Sequence, residues 1–417
     1  MGSTEIDNHP FEGIVEGQLE TGSILQDLFV KDPHPDKVNL LRGAYQADVG
    51  TPFVPPSTIL AREKLFRDSS WHHDYLFFLG AQGLLKAGEE LFFGPQSSAI
   101  TSQLVASMQA VGATGAIHMG GRFLKDHYPA WKGSDHKIYL SKDTWVNHRN
   151  VFRTLDIQPI ELPYYDPSTK SLNWTAFKDS IASLPTQSVV LLQTAAHNPT
   201  GCDPTPEQWK ELIQIFLARR HFAFLDAAYL GLVSGDPDVD ANTIRLFEAA
   251  GVPLLLAGTF GKSFGLYGER VGMLSVIAPS PEIKARMQKQ MTLLARSETG
   301  SSPAFGARIV ETVWGDEAIK KVWIKDVKGI ADELRRRRQT LKDELARLGT
   351  PGKWDFLTQQ VGMFSYLDFT PTQLEFLRTE NHLYLDGNTR LSFAAINNDG
   401  ITLVARGIDN MIRNKVE

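Results

Sequence analysis

The chain has 417 residues, more than one ordinary core accommodates, so two lobes are expected. Hydrophobic residues at 42% and charged residues at 22% match a globular protein that folds in water. A net charge of −5 gives no electrostatic footprint for nucleic acid, the single cysteine Cys202 excludes an intrachain disulfide, and no apolar run reaches the length of a membrane span.

In chain order, the start Met1-Gly-Ser-Thr-Glu-Ile-Asp lacks the basic and apolar character of a signal or transit peptide. Ile6 stands where a myristoylation motif wants Ser or Thr, so the expectation is a cytoplasmic protein with no lipid anchor. The run Gly112-Ala113-Thr114-Gly115-Ala116 precedes a helical pattern, so its backbone N–H groups are placed to cradle a phosphate. Lys137-Ile-Tyr-Leu, Val189-Val-Leu-Leu-Gln, Phe222-Ala-Phe-Leu-Asp and Pro253-Leu-Leu-Leu-Ala read as buried strands. Between them lie helical patterns, one opened by Thr205 as N-cap with Pro206 at the first helical position. This alternation predicts an α/β fold, with a mostly parallel sheet covered on both faces.

From about residue 325 the pattern becomes a long charged helix, then a hairpin-like region, then a terminal helix. That stretch reads as a second lobe, joined by the segment before about residue 52. The arginines at 335–338 fall in a helical pattern with Leu334, Leu341 and Leu345, and read as a solvated helix face rather than a targeting signal.

In parallel sheets ligands bind beyond the carboxyl ends of the strands. The predicted strands deliver Trp145 to His148, Asn198, Asp226 with Tyr229, and Lys262 to that edge. Lys262 sits among small residues, with Arg270 eight positions on as a second cation. Away from solvent and beside a cation, an amine loses its proton more readily and condenses with an aldehyde. A surface lysine in a glycine-rich turn is the plain alternative. Asp226, if buried and ionised, needs a positive partner, and a protonated pyridine nitrogen is one. Such a pair turns the ring into an electron sink, the essential property of pyridoxal phosphate. Tyr229 is placed to donate to the ring's phenolic oxygen. Asn198 offers an amide in the turn His197-Asn-Pro-Thr-Gly201, and Trp145 a flat face, although a plain turn and a core tryptophan serve as well. Adjacent His72 and His73 point apart, and no metal site is expected.

Together, Lys262 to Gly272, Asp226 with Tyr229, and His197 to Gly201 resemble the class I, fold-type I pyridoxal-phosphate aminotransferases. The closest likeness is to the eukaryotic-type aspartate aminotransferases. It runs from about Phe11 to the C-terminus and includes Asp36-Lys-Val-Asn-Leu, Gly43-Ala-Tyr45, Asn198-Pro-Thr-Gly-x-Asp-Pro-Thr205, Gly306-Ala-Arg-Ile-Val310, Gly362-Met-Phe-Ser365 and Arg390. The resemblance implies a large cofactor-binding domain over 53–325 with a sheet of the seven-stranded type. It also implies a smaller α+β domain from 19–52 and 326–417, and an N-terminal arm over 1–18. Lys262 would hold the cofactor aldehyde and move the proton between substrate Cα and cofactor C4′. Asp226 would pair with the ring nitrogen, backed by His148, while Asn198 and Tyr229 contact the phenolic oxygen and Trp145 stacks. Arg270, Thr114 and Thr259 would hold the phosphate, in a loop that includes Gly112 and Ala113, and Tyr75 would reach the phosphate of a neighbouring subunit.

On the substrate side, Arg390 would grip the α-carboxylate, with Trp145 and Asn198 beside it and Gly43 and Arg42 in the substrate loop. Arg296 would cross a homodimer interface to bind the distal carboxylate. The implied reaction is L-aspartate plus 2-oxoglutarate to oxaloacetate plus L-glutamate, by a ping-pong cycle between pyridoxal and pyridoxamine phosphate. The chain departs from the family pattern at Gly112 and Gly261, where serines are usual, at Ala113 for a glycine, and at Arg42 for a valine. The glycines imply a poorer phosphate anchor, and Arg42 either reaches a ligand anion or, the preferred reading, pairs with a surface acid. The stretch Thr299-Gly-Ser-Ser302 replaces the family's Trp-Ser-Asn-Pro beside the distal carboxylate. These changes keep open a second reading, a diverged pyridoxal-phosphate enzyme such as another transaminase or a lyase. A non-catalytic scaffold is the third, and it has no need of Lys262, Asp226, Tyr229 or Arg390.

Overall fold

A computed structural model describes residues 9, 11–17, 21–47 and 51–416. The start of the expected N-terminal arm, Met1 to Asp7, lies outside the described residues. Seven strands form the central sheet: β1 (Val105–Val111), β2 (Lys137–Ser141), β3 (Gln158–Leu162), β4 (Val189–Gln193), β5 (Phe222–Ala227), β6 (Leu254–Thr259) and β7 (Val271–Ile277). Their order across the sheet is β1-β7-β6-β5-β4-β2-β3, and only β7 runs antiparallel to its neighbours. Every residue of β4 and β6 is buried, as strands covered on both faces require. Along β6, Leu254 and Leu256 enter one core while Leu255 and Ala257 enter the other, the period-two alternation of a strand between two layers.

The covering helices include α1 (Gly112–His127) after β1, α2 (Val146–Thr154) after β2, α3 (Pro206–Arg219), α4 (Pro281–Glu298), α5 (Glu317–Arg347) and α6 (Asn398–Arg413). Helix α3 starts where expected. The Thr205 hydroxyl accepts from the Gln208 N–H at 3.3 Å, and the Gln208 side chain accepts from the Thr205 N–H at 2.8 Å. The two chain ends meet, because Val38–Asn39 pairs in parallel with Leu383–Tyr384. A second small pair sets Phe364–Tyr366 antiparallel to Arg390–Ser392, with Tyr366 opposite Arg390.

Helix α5 begins ahead of residue 325, and its arginines do not form a solvated face. Arg335 and Arg336 are exposed, but Arg337 is 0% and Arg338 3% exposed. Successive residues turn about 100° around a helix, so four in a row cannot share one side. Positions 337 and 338 fall on the stripe that carries Leu334, Leu341 and Leu345. Arg338 donates to the carbonyls of Leu357 at 3.0 Å, Val361 at 3.1 Å and Gly362 at 2.9 Å, and to the Ser365 hydroxyl at 2.7 Å. Those bonds replace the water that burial removes.

Candidate active site

The sheet register sets Gln193 opposite Asp226 and Asp226 opposite Ala257, so β4, β5 and β6 end at one level. Beyond that edge lies a cavity of ≈ 280 Å³. Gly43, Ala113, Thr114, Trp145, Asn198, Asp226, Tyr229, Thr259, Lys262, Arg270 and Arg390 line it.

Lys262 follows β6 through the fully buried Phe260, and its ammonium donates to the Gly43 carbonyl at 2.5 Å. The amine also lies 5.0 Å from the centre of the Tyr267 ring and 5.8 Å from that of Tyr229. Burial lowers it from 10.5 to about 8, with smaller contributions from Arg390 and then Arg270. The cation expected beside Lys262 was Arg270, yet Arg390 acts on it more strongly.

Asp226, 4% exposed, shares a hydrogen bond of 3.1 Å between Oδ2 and His148 Nε2. His148 is fully buried, and its Nδ1 lies 2.8 Å from the Thr144 hydroxyl. The second carboxylate oxygen, Oδ1, is buried without a protein partner. A buried acceptor left unsatisfied costs about 1–3 kcal/mol, so a donor arriving from the cavity is favoured there.

Gln193 holds the Asn198 turn from both sides. Its side-chain oxygen accepts from the Asn198 N–H at 2.9 Å, and its amide donates to the Asn198 carbonyl at 3.0 Å. The Asn198 side chain then donates to the Tyr229 hydroxyl at 3.1 Å and accepts from Arg390 Nη1 at 3.3 Å. Burial holds the Tyr229 phenol protonated well above its ordinary range. The Arg390 guanidinium lies 4.4 Å from the centre of the Phe364 ring, donates from Nη2 to the Leu41 carbonyl at 2.7 Å, and has a buried Nε without a protein partner.

At the other end of the cavity, Gly112 opens α1 at φ +68°. A Cβ at that position would lie 2.4 Å from Arg270 Nη2, so the glycine lets the guanidinium lie against the helix start. Loss of a serine hydroxyl there accompanies close approach of a full cation. At Gly261 a Cβ would meet nothing nearer than 3.5 Å. The Thr259 hydroxyl is already engaged, donating to the Val271 carbonyl at 2.9 Å and accepting from the Gly261 N–H at 3.2 Å.

Three expected residues lie elsewhere on the chain. Arg42 is exposed and makes no ion pair among the described residues, so the preferred surface pairing is not found. Its carbonyl accepts from the Ser392 hydroxyl. Tyr75 and Arg296 line a separate hollow of ≈ 850 Å³ with Phe77, Phe78 and residues 299–302. There the Arg296 guanidinium lies 4.7 Å from the centre of the Phe78 ring. Gln193, Tyr267 and Phe364, which no motif singles out in the sequence, also line the cavity around Lys262. Gln193 ends a predicted strand, and the other two fall inside the Lys262 and Gly362 runs, so position was their only signal.

The cavity therefore holds a buried amine of lowered basicity, a carboxylate with one open oxygen, and a flat indole wall. One guanidinium lies at a helix start, and another lies on the far side beside Asn198. This set fits a flat heterocycle that carries a ring N–H, an aldehyde and a phosphate, together with a substrate carboxylate at Arg390.

A family model described as aminotransferase class I and II matches residues 35–408. The mitochondrial aspartate aminotransferase of Arabidopsis thaliana is 37% identical over 387 residues, which cover 93% of this chain and 88% of that protein. Among solved structures, the aspartate aminotransferase from Saccharomyces cerevisiae cytoplasm has a TM-score of 0.93 at 34% identity, covering 97% of this chain and 99% of that one. An aromatic-amino-acid aminotransferase from Burkholderia pseudomallei, covalently bound to pyridoxal phosphate, has a TM-score of 0.93 at 30% identity, covering 97% of this chain and 100% of that one. This chain is a pyridoxal-phosphate-dependent aminotransferase and belongs to the class I and II aminotransferase family.

Proposed function

We propose that the enzyme transfers the amino group of L-aspartate to 2-oxoglutarate in a ping-pong cycle. The observation that carries the reading is one cavity lined by three features: the lowered Lys262 amine, the open Asp226 oxygen and the Arg390 fork. When bound, pyridoxal phosphate supplies an aldehyde that exchanges amine partners and a protonated ring that withdraws electrons from the substrate Cα.

Lys262, at about 8, works near its own proton equilibrium, which suits an amine that must both take and return the Cα proton. Asp226 would hold a ring N–H with its open Oδ1, while His148 on Oδ2 fixes the carboxylate's rotation. Asn198 and Tyr229, bonded to each other, would meet the phenolic oxygen. Trp145, which lines the cavity, would offer its flat indole to a bound ring. Arg270, Ala113, Thr114 and the start of α1 at Gly112 would hold the phosphate, and Thr259 would join them only by releasing its proton from the Val271 carbonyl. Arg390 takes the α-carboxylate with Nη2 and the free Nε, exchanging the Leu41 carbonyl for substrate. Gly43 lines the same cavity.

We further infer a two-fold homodimer in which Arg296 and Tyr75 reach the other copy's cavity. Both sit away from Lys262, in a hollow where Tyr75 is 88% and Phe77 78% exposed, apolar surface that a second copy would cover. The lobes are proposed as 53–325 and 19–52 with 326–417. A cytoplasmic location is proposed from the yeast cytoplasmic relative.

A second reading, transfer from aromatic donors, is supported by the likeness to the Burkholderia enzyme. Turnover of L-aspartate and L-phenylalanine with 2-oxoglutarate separates the two. A higher kcat/KM for aspartate is expected. A higher value for phenylalanine replaces the reading with the aromatic one.

A further inference from the structure

The segment 41–46 forms a strap that meets the cavity at Gly43, and most of its backbone hydrogen bonds are made with side chains. Arg390 donates to the Leu41 carbonyl, Ser392 to that of Arg42 and Lys262 to that of Gly43. At the far end the Tyr45 N–H donates to the Tyr267 hydroxyl, the Gln46 N–H to the Ala394 carbonyl, and Arg337 Nη2 to the Gln46 carbonyl at 3.1 Å. Lys262 and Arg390 are groups that cofactor and substrate require. Once they are engaged elsewhere, the strap keeps Ser392, Tyr267, Ala394 and Arg337.

Arg337 alone of these carries a full charge. It is 0% exposed, its Nε donates to Glu333 Oε1 at 2.7 Å, and its guanidinium lies 5.0 Å from the centre of the Tyr45 ring. The same fork donates from Nη1 to the carbonyls of Phe393 at 3.2 Å and Ala394 at 3.4 Å. Residues 393 and 394 directly follow the strand that carries Arg390 and Ser392. One buried guanidinium therefore ties the strap to the segment that presents the carboxylate fork.

We propose that Arg337 is a positioning residue for the substrate: from inside the protein it sets the height of the 41–46 strap over Arg390. The inference rests on the aminotransfer reading for which ligand lies beneath the strap. Helix α5 supplies a rigid base, and Glu333, one turn back, orients the fork. Lysine is no equivalent, because a compact ammonium cannot span carbonyls that diverge toward 46 and toward 393.

The test compares Arg337→Lys and Arg337→Met with wild type, using cofactor-loaded full-length protein. Two readouts are taken: hydrogen–deuterium exchange of the Tyr45 and Gln46 amides, and steady-state kinetics with whichever amino acid the wild type prefers. Exchange should speed up about ten-fold at those amides and not in β5 or β6. KM should rise about ten-fold with kcat within about two-fold, the lysine variant falling between wild type and methionine. Unchanged exchange at 45 and 46, or a fall in kcat at unchanged KM, overturns the proposal. Arg337→Lys keeps a cation beside Glu333, so the test stands if the methionine variant fails to fold. Exchange needs no turnover, so failure here is distinguishable from a wild-type protein that does not use aspartate.

Discussion

Around Lys262 the reactive side chains are buried and cross-braced: Asp226 is 4% exposed and bonded to His148, which is bonded to Thr144, while Asn198 is locked by Gln193 and bonded to Tyr229. Around Arg296 the arrangement is the reverse. Tyr75 is 88% exposed, Phe77 78% and Phe78 45%, and the Arg296 guanidinium lies over the Phe78 ring with no ion pair among the described residues. Groups at strand ends reach their working geometry through one chain's own packing. Groups on an open hollow gain theirs only when something covers it. The braced cavity forms within one chain, whereas the proposed role of Arg296 at the substrate's far end requires the proposed second copy.

The largest effect is expected inside the braced cavity. Lys262→Ala should lower kcat by about 10⁴-fold or more with the fold intact, since the cofactor link and the proton carrier vanish together. Near-normal turnover in that variant would sink the assignment. Asp226→Asn, which keeps the shape but not the charge facing the ring nitrogen, should lower kcat by about 10³-fold while KM moves little. An equal loss in KM would mean that Asp226 serves binding instead.

On the open side, Arg296→Ala should raise KM for aspartate by about 10²-fold and leave phenylalanine nearly untouched, because only the dicarboxylate loses a charge pair. Equal losses on both donors would remove Arg296 from specificity. Mixing this variant with Lys262→Ala sharpens the comparison further. In a hybrid dimer the intact Lys262 belongs to the chain lacking Arg296 and receives Arg296 from its partner. Recovery of a wild-type KM in a fraction of sites is expected, and no recovery would confine Arg296 to its own chain.

A smaller effect follows from the Lys262 amine. In cofactor-free protein, reductive alkylation of Lys262 by a small aldehyde should rise with pH about a midpoint near 8, where an ordinary lysine would give one near 10.5. The sign for stability follows from the same shift. Between about 8 and 10.5 the unfolded chain holds the proton that the folded one has released, so stability should increase with pH across that window. A labelling midpoint near 10.5 would mean that the amine is solvated.

Much of the braced cavity was legible in the sequence. Apolar runs that end in Asp226, Asn198 or Lys262 announce both a buried strand and a polar group at its carboxyl end. The strap was not legible, because its contacts use backbone carbonyls, which carry no side-chain signature. The burial of Arg337 and Arg338 is hidden in the sequence for a related reason. Helical phase depends on what packs against α5, and a run of identical residues leaves the inward side undefined. Gly112 looked like a lost phosphate ligand, whereas its missing Cβ leaves room for Arg270. Arg390 looked like a substrate fork alone, and its nearness to Lys262 emerges only when the chain ends fold back over the sheet.

The most direct test of the account is the half-reaction: cofactor-loaded protein receives L-aspartate with no keto acid present. The account predicts about one oxaloacetate per active site, with matching loss of the aldehyde-form cofactor absorbance. Bound cofactor that stays unchanged, with no oxaloacetate formed, would contradict it.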